Sequence, residues 1–199
     1  MQPPEQRKRK PRADVQRNHA ALLHTAQEHF QQYGVDTSLE AIAKDAGVGA
    51  GTLYRHFPTR EDLLAAALQH RSSELQTHQK ECDQLNDPLE ALEQWLLAME
   101  KYLSAFNGLP EPLMSAAQSK DPNNPFTIPC TELITATENF LHAAQKSGNA
   151  RTEVQGYDLY LSVCAIAWIR GNGAESSALQ RLRSLIASGY RDQPPQAHP

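Results

Sequence analysis

The sequence predicts an all-α protein. Apolar residues recur at helical spacing almost everywhere from Asp14 to Tyr190, and glycines, prolines and capping residues punctuate that pattern. No segment shows convincing period-2 alternation. The layout is a small N-terminal unit of three helices, then a larger helical unit, about nine helices in all.

Taken in order, Leu22, Leu23, Ala26, Phe30 and Tyr33 share one helical face, and Gly34 is a stop. Thr37 and Glu40 read as a capping box. Behind it, Leu39, Ile42, Ala43 and Ala46 form the face of a short helix that Gly47 ends. A second short helix covers residues 50–57, with Leu53 and Phe57 inward, and Pro58 breaks it. Thr59 caps the next helix, with Asp62 as the box partner and Leu63, Leu64, Ala67 and Leu68 as its face. Pro88 starts a long stripe of Leu89, Leu92, Trp95, Leu96, Met99, Tyr102, Leu103 and Phe106. A helix over 111–119, a loop over 121–125 and a helix over 127–146 follow. Residues 153–170 are apolar on two sides, with Val154, Tyr157, Leu161, Cys164 and Trp168 on one face. Leu159, Val163 and Ile166 make the other. Such a helix is buried on two sides. A last amphipathic helix over 175–190 carries Leu179, Leu182, Leu185, Ile186 and Tyr190.

The chain has 199 residues, and 40% are hydrophobic, which excludes a wholly disordered protein. A net charge of −4 argues against a protein that coats nucleic acid generally. The average hides an asymmetry. Residues 1–60 hold nine Lys/Arg against six Asp/Glu, and the rest hold ten against seventeen. A basic front on an acidic body points the front toward an anionic partner. Cys82, Cys130 and Cys164 imply no disulfide framework. The basic N-terminus lacks a signal peptide's apolar stretch, and the longest apolar run, 159–169, is too short for a bilayer. A cytoplasmic protein without membrane contact is expected.

Residues 37–57 describe a helix-turn-helix. The turn needs glycine where the first helix stops, and the second helix needs small or polar residues at its start, the end that approaches base edges. Gly49, Ala50, Gly51 and Thr52 supply these. The Ala50 methyl suits a thymine methyl. Tyr54, Arg55 and His56 follow on the exposed side, where hydroxyl, guanidinium and imidazole reach phosphates. For Arg55, phosphate contact and a solvated surface remain equal readings.

The run from Thr37 through Phe57, with Pro58-Thr59-Arg60-Glu61-Asp62-Leu63-Leu64 after it, resembles the DNA-binding signature of TetR-family transcriptional regulators. The likeness covers residues 12–68. It implies an all-α homodimer whose N-terminal domain binds operator DNA and whose C-terminal domain binds a small effector and dimerises. Most such proteins repress transcription and release a palindromic operator when the effector binds. The implied division is a disordered basic arm over 1–12, a DNA-binding domain over 13–60, an effector-binding and dimerisation domain over 61–191 and a disordered tail over 192–199. By position, Thr37 and Ser38 would touch phosphate at a helix N-terminus. Lys44 would make a phosphate or groove contact, and Ala50, Gly51 and Thr52 would face bases. Tyr54 and His56 would hold phosphates, as would Thr59 and Arg60 at the fourth helix start. Many members carry Ser or Thr where this chain has Gly49, which removes a cap and a hydroxyl contact.

Other features of the sequence have plainer readings beside the functional ones. The basic stretch from Arg7 to Arg12 reads equally as an arm along DNA or a solvated terminus. The glycines around Val48 lack the strand and Lys-Ser/Thr of a nucleotide loop. His70, Glu74, His78 and Cys82 recur every four residues, as metal ligands can, but exposed helices rich in His and Glu show this by chance; no metal and no cofactor is expected. Trp95, Met99, Tyr102, Phe106, Met114, Phe126, Phe140 and Trp168 are candidates to line an effector cavity, though most residues of this kind are plain core. The last two helices suit a subunit interface. No catalytic constellation appears. Glu90 with Glu93, and Glu100 with Lys101, read as helix surface, so an enzyme is not expected. The competing reading is a helical ligand-binding or scaffolding protein whose helix-turn-helix no longer reads DNA.

Overall fold

The computed structural model describes residues 11–192, and among them there are nine α-helices and no strand. They are α1 (Pro11–Tyr33), α2 (Leu39–Asp45), α3 (Ala50–His56), α4 (Arg60–Cys82), α5 (Pro88–Leu103), α6 (Pro110–Ser119), α7 (Thr127–Lys146), α8 (Gly156–Gly171) and α9 (Ser176–Tyr190). The helix predicted from Asp14 thus begins at Pro11, a residue that fits a first turn because its missing N–H needs no partner there. Of the arm expected over 1–12, residues 1–10 lie outside the described residues, while residues 11 and 12 belong to α1; of the tail expected over 192–199, residues 193–199 lie outside them.

Local sequence sets most of the boundaries. The Thr59 hydroxyl accepts from Asp62 N–H while Asp62 accepts from Thr59 N–H, the reciprocal box expected there. Asp87 caps α5, with Pro88 in the first turn. One cap differs from expectation. Ser38, not Thr37, caps α2, accepting from Ala41 N–H at 3.1 Å. The reason is that Leu39 must begin the helix to reach the core, while the Thr37 carbonyl is held by Arg60. Likewise α8 starts at Gly156 because Gln155 and Asp158 form a box there, leaving residue 153 in the preceding turn.

In the head, Leu22, Ala26 and Phe30 of α1 meet Ile42, Leu53 and Phe57, and the start of α4 closes this core with Leu63, Leu64 and Leu68. In the body, α5 is the central helix and packs against α4, α7 and α8. Trp95 is buried there; its indole N–H donates to Thr137 at 2.9 Å and its ring stacks on Phe140. The three cysteines are free and buried, and burial pushes the Cys164 thiol up to about 12. One bridge between Ala150 and Arg191 pins the end of α9 to the α7–α8 turn.

Glu100 corrects the sequence reading. It is not helix surface: it is 4% exposed and clamped by two guanidiniums. Arg170 of α8 donates to it through Nε and Nη2, and Arg183 of α9 donates through Nε at 2.7 Å and Nη2 at 2.8 Å. Burial alone would raise this carboxyl, but the hydrogen bonds from Arg183 and Arg170 outweigh it and hold it below its ordinary value of 4.5. The ionised clamp therefore stabilises the fold above the ordinary carboxylate range, and that stability is lost as pH falls through the lowered value. Glu100→Gln should cost about 1–2 kcal/mol at neutral pH, less than a fully buried pair because both guanidiniums are partly exposed. It should also flatten the acid limb of a urea-melt stability profile. An acid limb identical to the parent's would show that Glu100 does not titrate with folding.

Head and body meet turn on turn. The Val35 N–H, between α1 and α2, donates to the Asn107 carbonyl at 2.9 Å, between α5 and α6. Phe30 packs on Phe106, ring centroids 5.6 Å apart. Gly108 follows at φ +85°, and a Cβ there would sit 2.7 Å from the Val35 side chain.

Candidate nucleic-acid interface

The turn between α2 and α3 is a Schellman motif. Gly47 adopts φ +70°, its N–H bonds the Lys44 carbonyl, and Val48 N–H bonds the Ala43 carbonyl, both at 3.0 Å. Gly49 then starts α3 in extended geometry with no side-chain cap. Leu53 and Phe57 anchor α3 inward, so its other side faces solvent.

Seven of the predicted contact residues lie exposed on this side of the head: Ser38, Lys44, Gly49, Ala50, Gly51, Tyr54 and Arg55. Thr37, Thr52 and His56 are half-buried. His56 stands edge-on to His19, centroids 5.7 Å apart, and beside Phe57. The Arg55 guanidinium donates to the Thr52 hydroxyl at 3.0 Å.

Two others are engaged within the chain. Thr59 is exposed, but its hydroxyl serves the α4 cap. The Arg60 guanidinium donates to the carbonyls of Val35 at 2.7 Å and Thr37 at 2.6 Å, so it ties the start of α4 to the α1–α2 turn. The geometry gives Arg60 a positioning role beneath the face.

The reading of the sequence missed Glu40. Its carboxylate accepts from the Tyr54 hydroxyl and from the Ser38 hydroxyl, each at 3.0 Å. A backbone hydrogen bond, then those from Ser38 and Tyr54, hold this carboxyl below its usual range. The same bond raises the Tyr54 phenol. The only local signal was an acid in the first turn of a helix, and the capping-box pattern explained it away.

In the body, the eight aromatic and methionine candidates do not gather around one cavity. Trp95, Met99, Phe106, Phe126 and Phe140 are buried core, Tyr102 and Met114 are half-buried, and Trp168 is 46% exposed. The open space lies elsewhere. A cleft of about 470 Å³ is walled by charged residues of α4, α5, α8 and α9, and a slot of about 130 Å³ adjoins it between α5 and the last two helices. Of the four residues spaced for a metal, Glu74 pairs with Lys101, His78 pairs with Glu81 and Cys82 is buried. The side chain of His70 lies outside the described part. Among the described residues no helix is long and apolar enough to cross a membrane.

A helix-turn-helix head with a solvent-facing second helix, set on an all-helical body, defines the class of helix-turn-helix regulatory proteins. The comparisons with known proteins agree. Residues 22–67 match the family of bacterial regulatory proteins of the TetR type, and residues 87–192 match the C-terminal domain of SbtR-like transcriptional regulators. The chain belongs to the TetR family of transcriptional regulators, a family of transcription factors rather than enzymes, whose members bind DNA and small molecules and act as dimers. It is similar to the TetR transcriptional regulator SCO0520 of Streptomyces coelicolor, with 29% identity over 88% of this chain and 99% of that one, at a TM-score of 0.58. It is also similar to a TetR regulatory protein of Mycobacterium vanbaalenii, with 27% identity over 92% and 100% of the two chains and a TM-score of 0.51. Among curated relatives, an HTH-type transcriptional regulator of Staphylococcus aureus is 37% identical over 71 residues, 35% of this chain. That match spans only 38% of the relative's own length.

Proposed function

We propose that the chain is a homodimeric repressor that holds a palindromic operator through α2 and α3 and releases it when a small effector binds the body. The exposed small-residue start of α3, beside Tyr54 and Arg55, carries this reading. Gly49 and Gly51 face open space, which allows close approach to a major groove. In this reading residues 13–60 form the DNA-binding domain and residues 61–191 the effector-binding and dimerisation domain. Ala50, Gly51 and Thr52 face bases, with Gly49 opening the approach. Thr37, Ser38, Lys44, Tyr54, Arg55 and His56 serve phosphates, and Thr59 and Arg60 hold the frame beneath them. Two copies related by a two-fold axis would place their α3 helices about 34 Å apart, one turn of duplex.

Selection of genomic fragments tests the reading. Recovery of one palindrome, bound with an affinity that falls steeply with salt, supports it. Uniform weak binding refutes it. The Tyr54–Glu40 bond adds a sharper test. To reach a phosphate, the Tyr54 hydroxyl must leave Glu40, so Tyr54→Phe should weaken the operator complex about tenfold, the loss of one charge-assisted hydrogen bond. Glu40→Gln removes a negative charge beside the DNA and should tighten it. If mobility-shift titrations show the same affinity for both variants as for the parent, Tyr54 does not contact DNA.

A further inference from the structure

We propose that the body carries a binding site for an amphipathic organic anion, a carboxylate on an apolar skeleton, with the charged group in the α4–α5–α8–α9 cleft and the skeleton in the adjoining slot. The proposal rests on the effector-responsive reading above and names the effector's chemical class.

Charge is the first argument. Four cations, Arg71, Lys101, Arg170 and Arg183, converge on the wide cleft from four different helices. Two carboxylates answer them: Glu100 binds Arg170 and Arg183, and Glu74 binds Lys101 at 2.6 Å. Arg71 pairs with no carboxylate among the described residues; its guanidinium lies over the Phe106 ring, 5.8 Å from the centroid. The cleft is left with excess positive charge in a body that is acidic as a whole. Ser104 also lines it, and its hydroxyl oxygen has no hydrogen-bond partner among the described residues.

Shape is the second. The cleft's volume alone falls within the ~300–1,000 Å³ typical of small-molecule sites. It shares Leu97, Glu100 and Arg183 with the slot, so the two lie side by side. Leu96, Leu159, Val163, Ile166 and Ile186 give the slot an aliphatic lining, and its polar residues include Glu93, which is paired with Arg191. A cationic cleft beside a largely aliphatic slot fits an anion with a hydrocarbon body and disfavours cations and small inorganic anions. Guanidiniums grip carboxylates in a two-pronged manner, and Glu100 already shows that grip from within the chain. Glu100 is therefore the internal competitor of the incoming carboxylate.

The site also touches the head. Arg71 rests on Phe106, Phe106 packs on Phe30 of α1, and the next residue, Asn107, holds Val35. An anion that draws Arg71 off the ring acts one contact away from the turn that orients α2.

Calorimetric titration of the full-length protein without DNA tests the proposal. The probes are hexanoate, octanoate, decanoate and benzoate, each beside the alcohol of the same skeleton, with sodium sulfate as the inorganic control. At least one carboxylate should bind about tenfold or more tighter than its alcohol, the size of one charge-assisted hydrogen bond. Arg71→Gln should remove that preference, and Glu100→Gln, which deletes the competitor's charge, should strengthen it. Three results would each overturn the site: no carboxylate outdoing its alcohol, sulfate binding as well as the carboxylates, or a preference unchanged in Arg71→Gln. Operator affinity of the unliganded protein is measured separately. Carboxylate binding through Arg71 without operator binding supports the site and sinks the regulator reading; operator binding without carboxylate preference sinks the site alone.

Discussion

Trp168→Glu combined with Leu185→Glu should convert the protein to a folded monomer and weaken its operator complex by roughly 10²–10⁴, the advantage a linked second half-site provides. The two side chains are 46% and 69% exposed, an expensive state for large apolar groups. Along α8, residues 161, 165 and 168 share one side of the helix; along α9, residues 178, 182, 185 and 189 do the same. Leu159, Val163, Ile166 and Arg170 point the other way, into the body. One side of α8 is thus covered within the chain, and the second side, equally apolar, is left for a partner. In the dimer we propose, that partner is the same face of a second copy, as two-fold symmetry requires. Because both side chains are exposed in the single chain, the glutamates should disturb its own folding little. Light scattering that still gives a dimer mass for the double variant would move the interface elsewhere.

Gly108→Ala should be strongly destabilising. The left-handed backbone at φ +85° costs a non-glycine residue about 1–2 kcal/mol. The added Cβ would sit 2.7 Å from Val35, and overpacking of that kind costs about 1–3 kcal/mol more. For a chain of this size each kcal/mol moves the melting temperature by roughly 2–4 °C, so a drop of roughly 4–20 °C is expected. The damage also falls on the contact between head and body, so the response of operator affinity to effector should weaken. Adding Val35→Ala should recover the steric part and leave the backbone part. If thermal melts show Gly108→Ala as stable as the parent, the turn does not hold this geometry in solution.

Features made by near neighbours were legible in the sequence. The Thr59–Asp62 box, the stop at Gly47 and the inward pair Leu53 and Phe57 are local, and periodicity with capping chemistry suffices to read them. Arg60 and Glu100 were misplaced for the opposite reason. Arg60 bonds carbonyls 25 and 23 residues away, and Glu100 bonds guanidiniums 70 and 83 residues away. No window along the chain contains both partners, so Glu100 read as helix surface and Arg60 as a phosphate contact alone. The body cleft was missed similarly. Aromatic and methionine residues were the natural candidates, but five of the eight are buried core, and the open cleft is walled by long cationic side chains from four helices.

The carboxylate of Glu40 beside Tyr54 bears on how the protein finds its site. A fixed negative charge on the proposed operator face repels every phosphate alike, so it shortens residence on unrelated DNA more than it harms the one complex in which many aligned contacts offset it. Short stops at wrong sequences mean a faster genome-wide search, at some loss of final grip. With Lys44 and Arg55 also exposed, the proposed operator face would sample duplex quickly and commit only where α3 finds its matching bases.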